Sequence, residues 1–268
     1  MPPSAAWRLL PLTLSFIIIY WIVFVFLLIR SKRTGMKYVN FLAIYVVCVG
    51  NIFTFELVRE AMLGVGNMDA YFTIAVFQEI IKNLGNLFAI IFIKKAFYKE
   101  NKSIGIKIVY YALMVYAIIN LAIIPFLTLE YFTYRIFINI IYSLLLSAHS
   151  AWLMVASIMM VRKLRGTNAL PHVIARYSLT IISSLLTLIL GPVIITAHVT
   201  GGVIMEVYII MEIMLLILCD TIGVFFFLAW VMPGRLKQFY NRKYQEKYGI
   251  KEEVLSEEEI LKQLRSDD

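Results

Sequence analysis

One stretch inside the third apolar segment decides how the chain folds: Phe77-Gln78-Glu79-Ile80-Ile81-Lys82-Asn83-Leu84-Gly85-Asn86. At about 100° per residue, four of its polar side chains fall on one helix face, namely Glu79, Lys82, Asn83 and Asn86. A helix in lipid carries such a face only by turning it away from the hydrocarbon. The stretch therefore predicts a helix inside a bundle, with its polar face toward the other helices.

The composition is typical of an integral membrane protein. Of the 268 residues, 61% are hydrophobic and 16% are charged, and the mean hydropathy is +0.83. A soluble domain has roughly 45–50% apolar and about 25% charged residues. The two cysteines, Cys48 and Cys219, lie in apolar runs, and the spacing of Cys and His residues indicates no metal site. We expect an all-α membrane protein that binds no metal and no cofactor.

Seven apolar segments each approach the roughly 20 residues that cross a bilayer. The first is too long for the apolar core of a cleavable signal peptide, so we expect it to be retained as a span. Short connections predict antiparallel neighbouring helices. The sequence therefore predicts a seven-transmembrane helix bundle over residues 1–232, followed by a cytoplasmic tail over 233–268. The predicted spans are 9–29, 38–62, 70–96, 107–128, 136–161, 174–199 and 204–231.

The positions of the basic residues predict the orientation of the bundle. Most of the 25 Lys and Arg residues lie in the stretches 30–37, 94–107 and 162–176 or after Pro233. Positive charge favours the cytoplasmic side of a membrane. We therefore expect a multi-pass protein of the cell membrane with its N-terminus outside and its C-terminus in the cytoplasm. The net charge of +8 is then explained by topology and by attraction to anionic lipid, and nucleic acid is not expected as a partner.

The tail differs from the spans in composition. The stretch 235–248 is basic and aromatic, which predicts an amphipathic helix on the inner membrane surface. Ser256 and Glu259 have the spacing of a capping box that would open a further short helix. The tail is too short for a catalytic domain, so we expect a separate cytoplasmic signalling partner that binds the inner loops and the tail. In the last inner loop, Asn168 is the predicted N-cap of the sixth span.

Other ionisable side chains lie deep in other spans. Buried charge in a membrane costs several kcal/mol, which favours a functional role for such residues. A buried lysine needs a counter-charge, and we expect Glu212 or Asp220 to approach Lys82. The predicted site is a polar cavity that binds a small ligand or relays an ion. Its residues are Glu79, Lys82, Asn83, Asn86, Glu56, His149, Glu212 and Asp220.

Structural alternatives remain for several of these residues. Glu79 and Lys82 are three residues apart and can pair with each other, and the pair can be a structural one that holds helices together. A single histidine in a span, such as His149, can be a hydrogen-bonded structural residue instead of a proton switch. Arg59 and Glu60, toward the outer end of the second span, are expected to form a charge cluster at the membrane interface.

The order of the spans is similar to that of seven-helix receptors and sensors, but the motifs of the known families are missing. The seventh span contains Asp220-Thr221-Ile222-Gly223-Val224 and has no lysine that could bind retinal. The inner end of the third span reads Ile93-Lys94-Lys95-Ala96, without the acidic-Arg-Tyr triplet of rhodopsin-like receptors. This likeness is one of fold alone and assigns no family.

Three functions fit the sequence. The first is a receptor- or sensor-like protein that binds a small ligand in the polar cavity and signals through a separate cytoplasmic protein. The second is a small-solute or proton-coupled transporter, for which charges at mid-membrane are equally suitable. The third is a non-catalytic membrane assembly subunit. No hydrolase or transferase motif is present in the sequence, so we do not expect an enzyme.

Overall fold

The structure is a computed structural model that describes residues 9–99, 103–128, 131–166, 170–200 and 205–248. This part of the chain is helical and contains no strand. Seven helices are long and apolar enough to cross a membrane, which confirms the predicted seven-helix architecture. They are α1 (Leu10–Thr34), α2 (Val39–Gly64), α3 (Met68–Phe97), α4 (Ile104–Thr128), α5 (Tyr131–Arg165), α6 (Pro171–Thr200) and α7 (Met205–Trp230), and the shorter α8 (Gly234–Tyr248) follows.

Several helices extend beyond the apolar segments that predicted them. The α1 helix continues to Thr34 instead of residue 29, and α5 continues to Arg165 instead of residue 161. Basic residues occupy the last turn of both helices, including Lys32 and Arg33 in α1. Positive charge at a helix C-terminus interacts favourably with the helix dipole. Apolar composition therefore marks the part of a helix that contacts lipid and does not mark where its backbone hydrogen bonds end.

The helices form a ring that closes between α1 and α7. From α1 to α7, each helix packs against the next along the chain; α1 also packs against α7, α3 against α5, and α8 against α6. Half of the most apolar window of α3 and 56% of that of α5 are buried, against 11% for α4. The α3 helix therefore lies inside the bundle, as its polar face predicts, and α4 lies at the edge.

Two glycines allow α1 to approach its neighbours closely. A Cβ atom on Gly50 of α2 would lie 2.9 Å from Tyr20 Cβ, and one on Gly223 of α7 would lie 2.8 Å from Tyr20 Cε2. The Tyr20 side chain is buried, and its hydroxyl donates to the carbonyl oxygen of Cys219 at 3.1 Å. Small residues are the usual means by which membrane helices approach one another. Tyr20 therefore fits between α2 and α7 and joins α1 to both.

The end of the bundle that carries the basic connections is called the inner end here. At this end, α6 and α8 are joined by the side chain of Asn241, whose Oδ1 accepts from the backbone N–H of His172 at 3.2 Å. Asn241 thus caps the first turn of α6 from another helix. The N-cap predicted at Asn168 lies outside the described residues. The same is true of the predicted capping box at Ser256 and of residues 249–268 as a whole.

The last turn of α7 is also capped by other helices. Arg30 of α1 donates to the carbonyl oxygen of Trp230, and Nε of Arg176 in α6 donates to that of Ala229 at 3.1 Å. Carbonyls in the last turn of a helix have no partner within the helix, and a guanidinium group there also interacts favourably with the helix dipole. We call the residues that join the inner ends of α1, α6, α7 and α8 the inner junction: Arg30, His172, Arg176, Ala229, Trp230 and Asn241.

Candidate functional site

The polar face of α3 points into the bundle, as the sequence predicts. Glu79, Asn83 and Asn86 are each 1% exposed, and the Lys82 side chain is 12% exposed. Lys82 Nζ donates to Glu79 Oε1 at 2.6 Å and lies 5.6 Å from the centre of the Tyr142 ring of α5. A carboxylate and an aromatic face both stabilise a buried ammonium group. We call Glu79 and Lys82 the core pair.

The prediction that Lys82 pairs with an acid of α7 is wrong. Asp220 Oδ2 instead accepts a hydrogen bond from Ser15 Oγ of α1 at 2.8 Å. Glu212 is partly buried earlier on α7 and forms no ion pair with Lys82 in the described part of the chain. The physical reason is that Glu79 lies one turn from Lys82 on the same helix face, so the charge is compensated without reaching another helix.

Glu56 belongs to a second group, which lies between α2 and α3. It pairs with Arg59, and its Oε2 accepts from Nε2 of Gln78 at 2.9 Å. Arg59 also donates to Gln78 Oε1 at 3.1 Å, and Glu60 lies 3.8 Å from the same guanidinium group. We call Glu56, Arg59, Glu60 and Gln78 the outer cluster.

Arg59 and Glu60 belong to one charge cluster, as expected, and Arg59 is the more buried of the two. Its side chain is 4% exposed and lies inside the bundle, 5.4 Å from the centre of the Tyr71 ring. The carboxylates of α2 and the amide of Gln78 compensate its charge, which is what permits burial. The sequence shows the two acids at helical spacing from Arg59, but it does not show that Gln78 of the next helix completes the group.

His149 lies on α5 nearer the inner end and is 2% exposed. Its Nδ1 is 2.9 Å from the carbonyl oxygen of Leu145. Because a carbonyl only accepts hydrogen bonds, Nδ1 carries the proton and Nε2 is the acceptor of the neutral ring. His149 also lines a cavity of about 10 Å³, which is close to the room that one water molecule needs. Its polar neighbours in that lining are Tyr45, Ser150, Ser184 and Thr187.

The helices α3 and α5 contact each other at two depths. Lys82 lies over the Tyr142 ring, and about two turns further along both helices Ala89 and Ile93 line the same cavity as His149 and Leu153. We call the buried polar residues of this part of the two helices the α3–α5 seam: Glu79, Lys82, Asn83 and Asn86 of α3, and Asn139, Tyr142, Ser143 and His149 of α5.

Four buried atoms of this seam have no hydrogen-bond partner among the residues that the structure describes. They are Glu79 Oε2, Asn83 Oδ1, Asn86 Nδ2 and Ser143 Oγ. Asn83 is oriented by its other amide atom, since Nδ2 donates to the carbonyl oxygen of Glu79 at 2.9 Å. A buried polar atom without a partner costs about 1–3 kcal/mol. Three of these atoms belong to adjacent turns of α3, and the fourth belongs to α5.

The eight predicted site residues therefore fall into separate places. Glu79, Lys82, Asn83 and Asn86 lie together in the seam, with His149 at its inner end. Glu56 belongs to the outer cluster, Asp220 is bound to Ser15 of α1, and Glu212 is partly buried on α7. The single cavity that the sequence predicts for all eight stays a prediction. Within that part, no three Cys, His, Asp or Glu side chains come together as metal ligands.

Comparison with known proteins assigns no family. The chain matches no protein-family model, no curated protein and no solved structure. Any functional conclusion therefore depends on the side chains themselves.

Proposed function

We propose that this chain is a receptor- or sensor-like membrane protein whose responding site is the α3–α5 seam. The observation that carries the proposal is the core pair, an ion pair buried in the middle of one of the two most enclosed spans. Ionisable groups at such depth are costly and are by default candidates for function. A pair next to four unpartnered polar atoms has alternative hydrogen bonds available, so a small change in its surroundings can rearrange it.

A packed route from the seam to the inner end supports this proposal. On α3, Phe92 and Phe97 lie below the polar face and contact the Trp230 ring at 5.0 and 6.4 Å between ring centres. Tyr177 of α6 contacts the same indole ring at 6.4 Å. Through the inner junction, α7 is held by α1 and α6, and α6 is held by α8. A movement of α3 therefore reaches α8, which would present the output to a cytoplasmic partner.

The room in the seam limits the size of the ligand. The cavity at His149 is about 10 Å³, whereas pockets for drug-sized ligands have roughly 300–1,000 Å³. Any ligand larger than a water molecule must separate α3 from α5 or α6 at this place. Binding would then favour a second arrangement of the helices, which is how a ligand shifts the balance between two states.

The test is to replace the core pair with neutral side chains and to measure a distance between two labelled positions at the inner end of the bundle. Spin labels at Ser103→Cys and Gln238→Cys, both exposed positions, report the distance between α4 and α8 by double electron–electron resonance in nanodiscs. We expect the variant Glu79→Gln/Lys82→Met to change this distance distribution. Lys37→Met, which removes an exposed lysine, should leave it unchanged. An unchanged distribution in a folded Glu79→Gln/Lys82→Met variant would overturn the proposal and favour the assembly subunit.

A proton-coupled transporter is the second candidate, favoured by the position of Glu79 Oε2. This buried carboxylate oxygen has no described partner and lies beside Asn83, which continues the polar face toward His149. A transporter of this kind would acidify proteoliposomes when a proton gradient is imposed, as read by an enclosed pH-sensitive dye. Lys82→Met should abolish that flux, whereas a sensor should carry none.

A further inference from the structure

The unpartnered atoms of the seam are spaced in a way that suits one particular ligand. Glu79, Asn83 and Asn86 follow one another at intervals of four and three residues, which correspond to rises of about 6 and 4.5 Å along the helix. Ser143 follows Tyr142, the α5 residue whose ring centre lies 5.6 Å from Lys82 Nζ. Two hydrogen bonds of about 2.8 Å, with one water molecule between them, span a distance similar to these rises. The spacing of the three polar residues along α3 therefore suits bridging water molecules.

The chemistry of the atoms also favours a neutral ligand. Glu79 Oε2 and Asn83 Oδ1 need donors, Asn86 Nδ2 needs an acceptor, and the Ser143 hydroxyl can do either. A metal cation would compete with the Lys82 ammonium group, which already lies 2.6 Å from Glu79 Oε1. An anion would meet the Glu79 carboxylate. Water both donates and accepts, and it adds no charge to the membrane interior.

The cavity at His149 continues the same series toward the inner end. Ser184 Oγ donates to the carbonyl oxygen of Thr180 at 2.8 Å, and Thr187 Oγ1 donates to that of Ser183 at 2.9 Å. With their protons committed in this way, both hydroxyls offer acceptors, as does Nε2 of His149. The cavity volume of about 10 Å³ suits one molecule, and a buried water molecule typically makes about three hydrogen bonds.

We propose that the α3–α5 seam binds a short file of water molecules that begins at Glu79 and ends in the cavity at His149. The file would satisfy the four unpartnered atoms and would connect the core pair to the histidine through hydrogen bonds. This inference does not depend on the proposed sensor function, because bound water molecules in the seam are compatible with a sensor, a transporter or an assembly subunit.

The experiment measures magnetisation transfer from water to histidine by solid-state NMR, with the full chain in lipid bilayers. The sequence has three histidines, so ¹⁵N-histidine labelling yields few ring signals. The signal that disappears in the His149→Gln variant is the signal of His149. We expect rapid transfer to the His149 ring despite its burial. Asn86→Leu should block the file above the cavity and slow this transfer several-fold.

The matched control is Asn51→Leu, which makes the same change on α2 at an asparagine whose amide donates to Val47 of its own helix. Transfer to His149 should be unaffected there. Gel filtration and an unshifted His172 signal report whether each variant folds. If Asn86→Leu does not fold, Ser143→Ala replaces it with the same expected slowing. Slow transfer in the native chain, or equal transfer in native and blocked chains, would overturn the proposal.

Discussion

At the scale of the residue, the core pair is a buried ion pair whose two charges depend on each other. Lys82 and Glu79 are compensated mainly by each other, and the Glu79 side chain is only 2% exposed. Removing one member of a buried ion pair leaves an uncompensated charge, whereas replacing both with neutral groups removes the problem. The two kinds of substitution therefore have different consequences for stability.

We predict that Lys82→Met destabilises the bundle by about 3–5 kcal/mol, the range typical of a broken buried pair. Adding Glu79→Gln should restore much of that loss, since no ion is then left in the interior. A double-mutant cycle by steric trapping in bicelles measures both effects.

One result of the double-mutant cycle would contradict this prediction. If the effects of the two substitutions simply add, the two charges are not energetically coupled and the pair does not matter for stability. Lys37→Met, at an exposed lysine, is the control and should change the free energy of unfolding by less than about 0.5 kcal/mol.

At the scale of the element, helix ends are capped by neighbours instead of by local sequence. The last carbonyls of α7 accept from arginines of α1 and α6, and the first turn of α6 is capped by Asn241 of α8. Such caps make the position of one helix end depend on another helix. This dependence joins α8 to the bundle.

We predict that Asn241→Leu releases α8 from α6 and costs about 1 kcal/mol, as the loss of an N-cap usually does. Hydrogen–deuterium exchange should increase in α8 and in the first turn of α6, because the backbone N–H of His172 loses its acceptor. Gln238→Leu changes an exposed amide on the same helix and should leave the exchange of α6 unchanged. Equal exchange in the two variants would contradict a capping role.

At the scale of the whole molecule, the ring of helices has an inner end defined by its basic connections, and the positive-inside rule predicts that this end faces the cytoplasm. Attraction to anionic lipid acts in the same direction. The orientation is a property of the complete chain, since it depends on charges summed over several loops.

We predict that a cysteine at Ser103 reacts with a membrane-impermeant maleimide only after cells are permeabilised. One at Val65, which is 75% exposed between α2 and α3, should react in intact cells. The native Cys48 and Cys219 are both buried and should contribute little background. The reverse pattern of labelling would show the opposite orientation.

The sequence by itself determined the architecture, because each span must be apolar along its own length in order to lie in lipid. A helix in lipid makes its backbone hydrogen bonds internally, so apolar length alone predicts seven helices. The inward face of α3 also follows from sequence, since Glu79, Lys82, Asn83 and Asn86 recur at helical spacing and cannot face hydrocarbon.

Only the tertiary structure decided which polar groups meet. Lys82 pairs with Glu79 one turn away, and Asp220 accepts a hydrogen bond from Ser15. Arg59 is buried because Gln78 of the next helix accepts a hydrogen bond from it. Helical spacing orders residues along one helix, but it holds no information on the rotation and depth of one helix relative to another. Those two quantities come from packing, such as the fit of Tyr20 between Gly50 and Gly223, and they place Tyr142 beside Lys82 and His149 in a cavity that α3 also lines.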